Sequence, residues 1–398
     1  MNRIAWFALL LTTPVLVAAA EPPFQTLARE LVGADQGVYV QAEDGSVLAS
    51  VAADRPVHPA SVTKIATTLA LLQRLGPAFR FETRLLATGP VRQGTLEGDL
   101  IVQAGTDPFL VSENAHVMLL ELHREGIRSV EDDLRVEGTL LFNWSPDPEG
   151  RALRRALEGR TGGEAWAAVR AARADAPATG PREVALRFAD HRAAREDGAP
   201  RLLVLHRSPP LIRVVKALNC YSNNVFHLVA DRIGGAGVVE RVVRDAVGPT
   251  LASEIVIENG AGAGTTNRLS PRAAVAILET LRTELERHGL TLVDVLPVSG
   301  VDPGTLRHRL PPGLVVGKTG TFGSQGASAL AGVLRTARYG RVTFAVLNRG
   351  VPPPTAQRRQ DAFVQALGDA TGALRWSYDG RALPRFTEAR IEIADPRP

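Results

Sequence analysis

Only three lysines stand among the 46 lysine and arginine residues of this 398-residue chain, at positions 64, 216 and 318. Two of them mark the ends of differently patterned segments, and that placement constrains the fold more than any other feature. Lys64 closes Ser61-Val62-Thr63-Lys64, and Ile65, Leu69 and Leu72 then recur at helical spacing until Gly76-Pro77. Lys318 opens Lys318-Thr319-Gly320-Thr321, at the end of an apolar run read as a strand over 314–321. A guanidinium keeps its proton in any protein environment, whereas an ammonium can lose it when buried or crowded by another cation. Lysines retained at a helix start and a strand end, in a chain that otherwise uses arginine, point to tasks arginine cannot perform. Lys216 belongs to neither motif, and arginine there is expected to be nearly silent.

The chemistry these residue types can carry is specific. A serine hydroxyl is a weak nucleophile until a base lies within hydrogen-bond reach. Lys64, one turn after Ser61 on the same helix face, supplies that base. Lys318 is the second cation that would help keep it neutral, and helix N-terminal amides can stabilise an oxyanion. Between the two motifs lies Ser222-Asn223-Asn224, on a tight link between helices read from Leu211, Val214, Val215 and Leu218 and over 225–233. Ser222 is expected to relay a proton and Asn224 to bind a substrate amide. Gly320 is expected to leave room for a substrate backbone. Lys318 and the hydroxyls of Thr319 and Thr321 are expected to receive a terminal carboxylate.

The rest of the chain reads as alternating elements. A short helix spans 21–31, and a hairpin follows with strands at 37–41 and 46–51 about an Asp44-Gly45 turn. Residues 81–142 alternate glycine-containing turns with short apolar runs, with one helix near 114–125. Residues 143–200 are rich in proline, arginine and alanine, with helices near 152–157 and 164–174. A long amphipathic helix is expected at 271–287, and two further strands at 329–336 and 342–347. The glycine-rich stretch from Gly260 to Gly264 lacks a surrounding βαβ unit and reads as a loop.

Composition removes several function classes. A hydrophobic share of 45% with 22% charged residues is that of a folded protein, and a net charge of +4 marks no nucleic-acid surface. The eight histidines show no metal-ligand spacing, so neither metal nor cofactor is expected, and His227 reads as an ordinary core or surface histidine. Cys220 is the single cysteine and can form no internal disulfide; a small buried thiol is its expected role. Arg3, the apolar stretch 4–17 and Ala18-Ala19-Ala20 read as a cleavable secretory signal over 1–20. That implies a periplasmic protein beginning at Glu21, with no stable membrane span after cleavage.

The ordered motifs, with their flanking strings, resemble the D-alanyl-D-alanine carboxypeptidase/endopeptidase family, the class C low-molecular-mass penicillin-binding proteins. The likeness extends from Pro59-Ala60-Ser61 through Leu75-Gly76-Pro77-Ala78-Phe79-Arg80-Phe81 to Gly105-Thr106-Asp107-Pro108. It resumes at His206-Arg207-Ser208-Pro209-Pro210-Leu211 and at Leu296-Pro297-Val298-Ser299-Gly300. The resemblance implies an α+β fold: a penicillin-binding-protein/β-lactamase-like transpeptidase domain, its five-stranded antiparallel sheet flanked by helices, interrupted by a mainly β inserted domain. Residues 21–82 and 201–398 would form the catalytic domain and 83–200 the insertion, whose 143–200 part lacks the family's strings. It further implies Ser61 as acylated nucleophile, Lys64 as base, and Ser222, Asn224 and Lys318 as assisting groups. The amides of Ser61 and Thr321 would form the oxyanion hole, peptidoglycan stem peptides would be substrates, and β-lactams would be covalent inhibitors. Asn259-Gly260-Ala261-Gly262 stands where relatives carry Asn-Gly-Ser-Gly, and His227-Leu228 where they often carry Ala-Glu. A β-lactamase or esterase on the same scaffold is the alternative, although no Glu-x-x-x-Asn element supplies a deacylating base. A non-catalytic cell-wall-binding protein with a vestigial site is the third reading.

Overall fold

A computed structural model describes residues 21–189, 199–378, 380 and 383–394; the secretory signal read over 1–20 lies outside the described residues. The main sheet follows from two central strands whose apolar side chains alternate between two cores. In Gly340–Asn348, Val342, Phe344 and Val346 face one core while Ala345 and Leu347 face another. Ala327–Thr336 alternates in the same way, with Leu330 and Leu334 on one side and Ala329, Ala331 and Val333 on the other. A sheet apolar on both faces must be covered on both. Helices Thr63–Leu75 and Pro271–Glu286 cover one face, and Gln25–Leu31 and Pro353–Thr371 the other.

The strand order is Val316–Phe322, Ala327–Thr336, Gly340–Asn348, Gly37–Gln41, Val47–Val51, antiparallel throughout, with the short Ala373–Leu374 pairing onto Ala327–Thr336. Lys318 is opposite Ala331, and Thr321 opposite Ser328. The lysine strand is therefore the edge of the sheet at its Ser61 side. This is the expected α+β arrangement, and the hairpin about Asp44-Gly45 closes its other edge.

A second sheet runs Arg390–Ile393, Arg201–Arg207, Glu82–Ala87, Leu100–Gly105, Leu134–Thr139. Arg201–Arg207 pairs antiparallel with both Glu82–Ala87 and Arg390–Ile393. A division of the chain at 82/83 and 200/201 therefore cuts through this sheet. Two adjacent strands of it, Arg390–Ile393 and Arg201–Arg207, come from stretches that the sequence reading assigned to the catalytic segments. Helices Ser112–Arg124, Arg151–Leu157 and Gly163–Ala172 pack with this sheet around Met118, Leu122, Leu153, Leu157 and Trp166. Among the described residues, no helix is long and apolar enough to cross a membrane.

Lys216 departs from its expected indifference. It is 2% exposed on helix Leu211–Tyr221, and its Nζ bonds Asp302 Oδ2 at 2.6 Å and the carbonyls of Leu296 and Val293. Asp302 Oδ2 also accepts the Val298 amide, so one buried ion pair fixes the loop that leads toward the lysine strand. The larger planar guanidinium does not match three convergent acceptors around a compact ammonium.

Candidate active site

Ser61 lies in a 3-10 turn, Ala60–Val62, directly before helix Thr63–Leu75. Its neighbour Ala60 has a φ of +46°, in the region that side-chain-bearing residues rarely occupy. Two glycines make room for this turn. A Cβ on Gly262 would stand 1.9 Å from Ala60 O, and one on Gly320 would stand 2.9 Å from Ser61 N. The requirement for glycine at 320 is thus set by the serine turn packing on the strand. The sequence reading had assigned that space to a substrate backbone. Gly320 consequently brings the Ser61 amide against the segment that carries Thr321.

Lys64 is buried in the first turn of the helix. Its Nζ lies 3.0 Å from Ser61 Oγ and 2.7 Å from Ala261 O. The carbonyl is presented by a loop whose shape comes from Asn259: its Oδ1 accepts the amides of Ala261 and Ala263. Thr67 Oγ1 donates to Gly260 O and pins the loop to the same helix. Residue 261 thus acts through its backbone, which is why alanine serves there.

Lys318 is fully buried and donates to Ser222 Oγ at 3.0 Å and to Thr319 O at 2.8 Å. Ser222 caps helix Leu211–Tyr221 in a left-handed conformation, φ +54°, which turns its hydroxyl to the lysine. Asn219 Nδ2 donates to Thr68 Oγ1 at 3.1 Å and ties this helix to the Lys64 helix. Neither Asn219 nor Thr68 stands out in the sequence, since a 151-residue separation leaves no local pattern.

Burial and mutual repulsion set the protonation of the two lysines. Burial, reinforced by the charge of Lys318, brings Lys64 from its usual 10.5 down to about 6. Burial also lowers Lys318 to about 7, with Cys220 pulling the other way. Cys220 is itself buried and its thiol is pushed up to about 12, so it is a protonated, inert thiol at neutral pH. Two ammoniums this close and this dry do not both stay charged near pH 7.

The remaining expected residues divide. Thr321 is exposed at the strand end, and its Oγ1 accepts from Gln357 Nε2 at 3.2 Å. Thr319 turns the other way: it is 6% exposed and its hydroxyl bonds Thr305 Oγ1 at 2.6 Å. That geometry does not present the Thr319 hydroxyl to a carboxylate. Asn224 is exposed beside Ser222, and its carbonyl receives the ring Nδ1 of His227. Among the described residues, no group of three or more histidine, cysteine or acidic side chains is arranged to hold a metal ion. A cavity of about 960 Å³ adjoins the site through Asn223 and Tyr221 and is lined further by Phe109, Trp144 and Phe386. Ser61, Lys64 and Lys318 do not line it.

The antiparallel sheet with its helices and inserted sheet is the fold of penicillin-binding-protein-like peptidases. A predatory endopeptidase of Bdellovibrio bacteriovorus, solved with its immunity protein, superposes with a TM-score of 0.72 over 90% of this chain and 99% of that one, at 21% identity. A second predatory endopeptidase of that organism, acylated by penicillin G and also bound to an immunity protein, gives 0.73 over the same shares at 21%. Penicillin binding protein 4 of Haemophilus influenzae gives 0.65 over 87% of this chain and 99% of its own, at 19%. The model of the D-Ala-D-Ala carboxypeptidase 3 (S13) family matches residues 25–148 and 189–369, and the chain belongs to that family. The D-alanyl-D-alanine carboxypeptidase DacB of Haemophilus influenzae is 39% identical over 75 residues, covering 19% of this chain and 16% of the relative. A D-alanyl-D-alanine carboxypeptidase of Actinomadura is 33% identical over 127 residues, covering 30% of this chain and 23% of the relative. These matches thus span less than a quarter of either curated relative.

Proposed function

We propose that this chain is a serine-type D-Ala-D-Ala carboxypeptidase/endopeptidase that acts on peptidoglycan stem peptides through an acyl-enzyme on Ser61. The observation that carries the reading is the buried Lys64 amine, 3.0 Å from Ser61 Oγ and depressed to about 6. A neutral amine at that distance takes the hydroxyl proton as Oγ attacks the carbonyl of the penultimate D-Ala. The amides of Ser61 and Thr321 receive the developing oxyanion. Ser222, held by the Lys318 ammonium, relays the hydroxyl proton from Lys64 to the departing amine, and the peptide C–N bond breaks. Water then attacks the ester and gives its proton to Lys64, which returns it to Ser61 Oγ as the ester C–O bond breaks, and the shortened peptide leaves with Ser61 restored. Asn224 and Thr321 are both exposed beside these groups, and they would hold a substrate amide and a terminal carboxylate. The names of the family and of its carboxypeptidase relatives support this substrate class. The penicillin-acylated relative supports β-lactams as covalent inhibitors. Export by the segment 1–20 to the periplasm, where such substrates lie, belongs to the same proposal.

A lactamase reading is weaker, because no carboxylate is among the described hydrogen-bond partners of Ser61, Lys64, Ser222 or Lys318. Purified protein incubated with a stem pentapeptide and with cross-linked muropeptide dimers tests the function. Mass spectrometry is expected to find pentapeptide shortened by one D-Ala, or dimers split to monomers. Both substrates returning intact, from a protein that hydrolyses penicillin rapidly, would turn the reading to a lactamase.

The paired lysines also give a pH signature. Acylation requires Lys64 neutral, so its rate is expected to rise with pH through about 6. It requires a proton on Lys318, so the rate falls as pH passes about 7. A bell with its maximum between these values is expected for the second-order rate of penicillin acylation. A rate that climbs steadily to pH 10 would contradict this assignment. The linkage to stability has a fixed sign. Both folded values lie below the ordinary 10.5, so the unfolded chain binds more protons between about 6 and 10.5, and these two groups favour folding increasingly as pH rises through that window.

A further inference from the structure

His58 ties together the serine turn, the Asn259 loop and the lysine strand, although it stands outside every motif. It is 6% exposed, and its Nδ1 lies 3.1 Å from the amide of Ala60, the residue before the serine. Its Nε2 lies 2.7 Å from the carbonyl of Gly264, at the end of the loop that presents Ala261 O to Lys64. Its ring stacks on Phe322, with centroids 4.5 Å apart and planes at 10°, directly after Thr321 on the lysine strand. An amide N–H can only donate, so Nδ1 must accept; Nε2 must then carry the hydrogen it gives to Gly264. Both nitrogens are committed in one neutral tautomer, which leaves the ring no lone pair for substrate chemistry.

We propose that His58 is a positioning residue that holds the nucleophile turn in its reactive shape, clamping the Ala60 amide with Nδ1 while Nε2–H and the stacked ring fix it to the loop and the strand. The inference rests on Ser61 being the acylated residue. Ala60 has φ +46°, a conformation that a residue with a side chain leaves readily unless its surroundings fix it. An acceptor two residues upstream is the Asx-turn arrangement, here made by an imidazole. Burial lowers the basicity of the ring, and nearby Arg268 adds to this; the Gly264 carbonyl and Glu258 oppose it. Protonation would replace the acceptor facing Ala60 by a donor facing a donor.

The test separates the acceptor from the bulk of the ring. In His58→Asn, Oδ1 takes the place of Nδ1 and keeps the Ala60 bond. In His58→Leu both polar ties are lost. Stopped-flow acylation by a reporter penicillin separates the pre-covalent dissociation constant from the acylation rate constant. His58→Leu is expected to lose about tenfold or more in the rate constant with binding unchanged, since small misplacements of reacting groups weigh this heavily. His58→Asn is expected to stay within about threefold of wild type. The ring ¹⁵N signals of wild type at pH 7 are expected to show an unprotonated Nδ1 and a protonated Nε2. Should His58→Leu fail to fold, His58→Gln, which keeps a donor toward Gly264 but not the acceptor for Ala60, replaces it as the slow variant. A slow variant that acylates at the wild-type rate, His58→Asn as slow as that variant, or a proton on Nδ1 would each overturn the proposal. Wild-type protein that forms no adduct on Ser61 would instead overturn the serine reading on which it rests.

Discussion

Lys64→Arg is expected to lose penicillin acylation by about 10²–10⁴-fold or more, the range associated with removing a general base. The charge and approximate length of the side chain are kept, but the one property the site depends on is not. Burial beside a second lysine depresses an ammonium to about 6 and leaves a free lone pair toward Ser61 at neutral pH. A guanidinium keeps its proton in any protein environment and has no lone pair to offer. It would also set a permanent charge in a fully buried position beside Lys318. Lys318→Arg is the internal control. Its task is to hold a proton near Ser222 and a carboxylate, which a guanidinium does, though with a bulkier head, so measurable acylation is expected to remain. Stopped-flow acylation of the two variants decides between them. Near-normal acylation by Lys64→Arg would remove proton transfer from the account.

The second large effect is on stability and lies outside the chemistry. Lys216→Ala is expected to destabilise the protein by about 3–5 kcal/mol, the magnitude seen when one partner of a buried ion pair is removed. Asp302 would be left buried at 1% exposure with its charge unpaired, its Oδ2 still accepting the Val298 amide, and the Leu296 and Val293 carbonyls would lose their ammonium donor. Denaturant melts of the full chain measure the change. The double replacement Lys216→Met with Asp302→Leu, which removes both charges, is expected to recover much of it. A Lys216→Ala melt within about 0.5 kcal/mol of wild type, as for surface substitutions, would show that this pair holds nothing.

What was legible in the sequence was what repeats or sits close together. Ser61 and Lys64 announce themselves because they are three residues apart at the start of a periodic helix. The sheet strands announce themselves through alternation, as in Val342, Phe344 and Val346. What was hidden depends on residues far apart. Lys216 looked dispensable because its partner Asp302 is 86 positions away. Thr319 looked like a substrate ligand because nothing local reveals that Thr305 takes its hydroxyl. Gly320 was rightly read as a place where something approaches, but the approaching group is the Ser61 turn, delivered by another segment. Arg201–Arg207 gave no hint of the sheet it enters, since strand partners are set by tertiary pairing. Helix Ala236–Val247 was passed over because its buried Val239, Val242 and Val243 belong to a residue type that favours strands.

The central claim is that Ser61 is the residue acylated and Lys64 the group that activates it. Intact-protein mass spectrometry after incubation with benzylpenicillin, followed by peptide mapping, tests it most directly. One adduct is expected, carried by the peptide containing Ser61 and absent from Ser61→Ala. An adduct on any other residue, or an unchanged adduct on Ser61→Ala, would contradict the account.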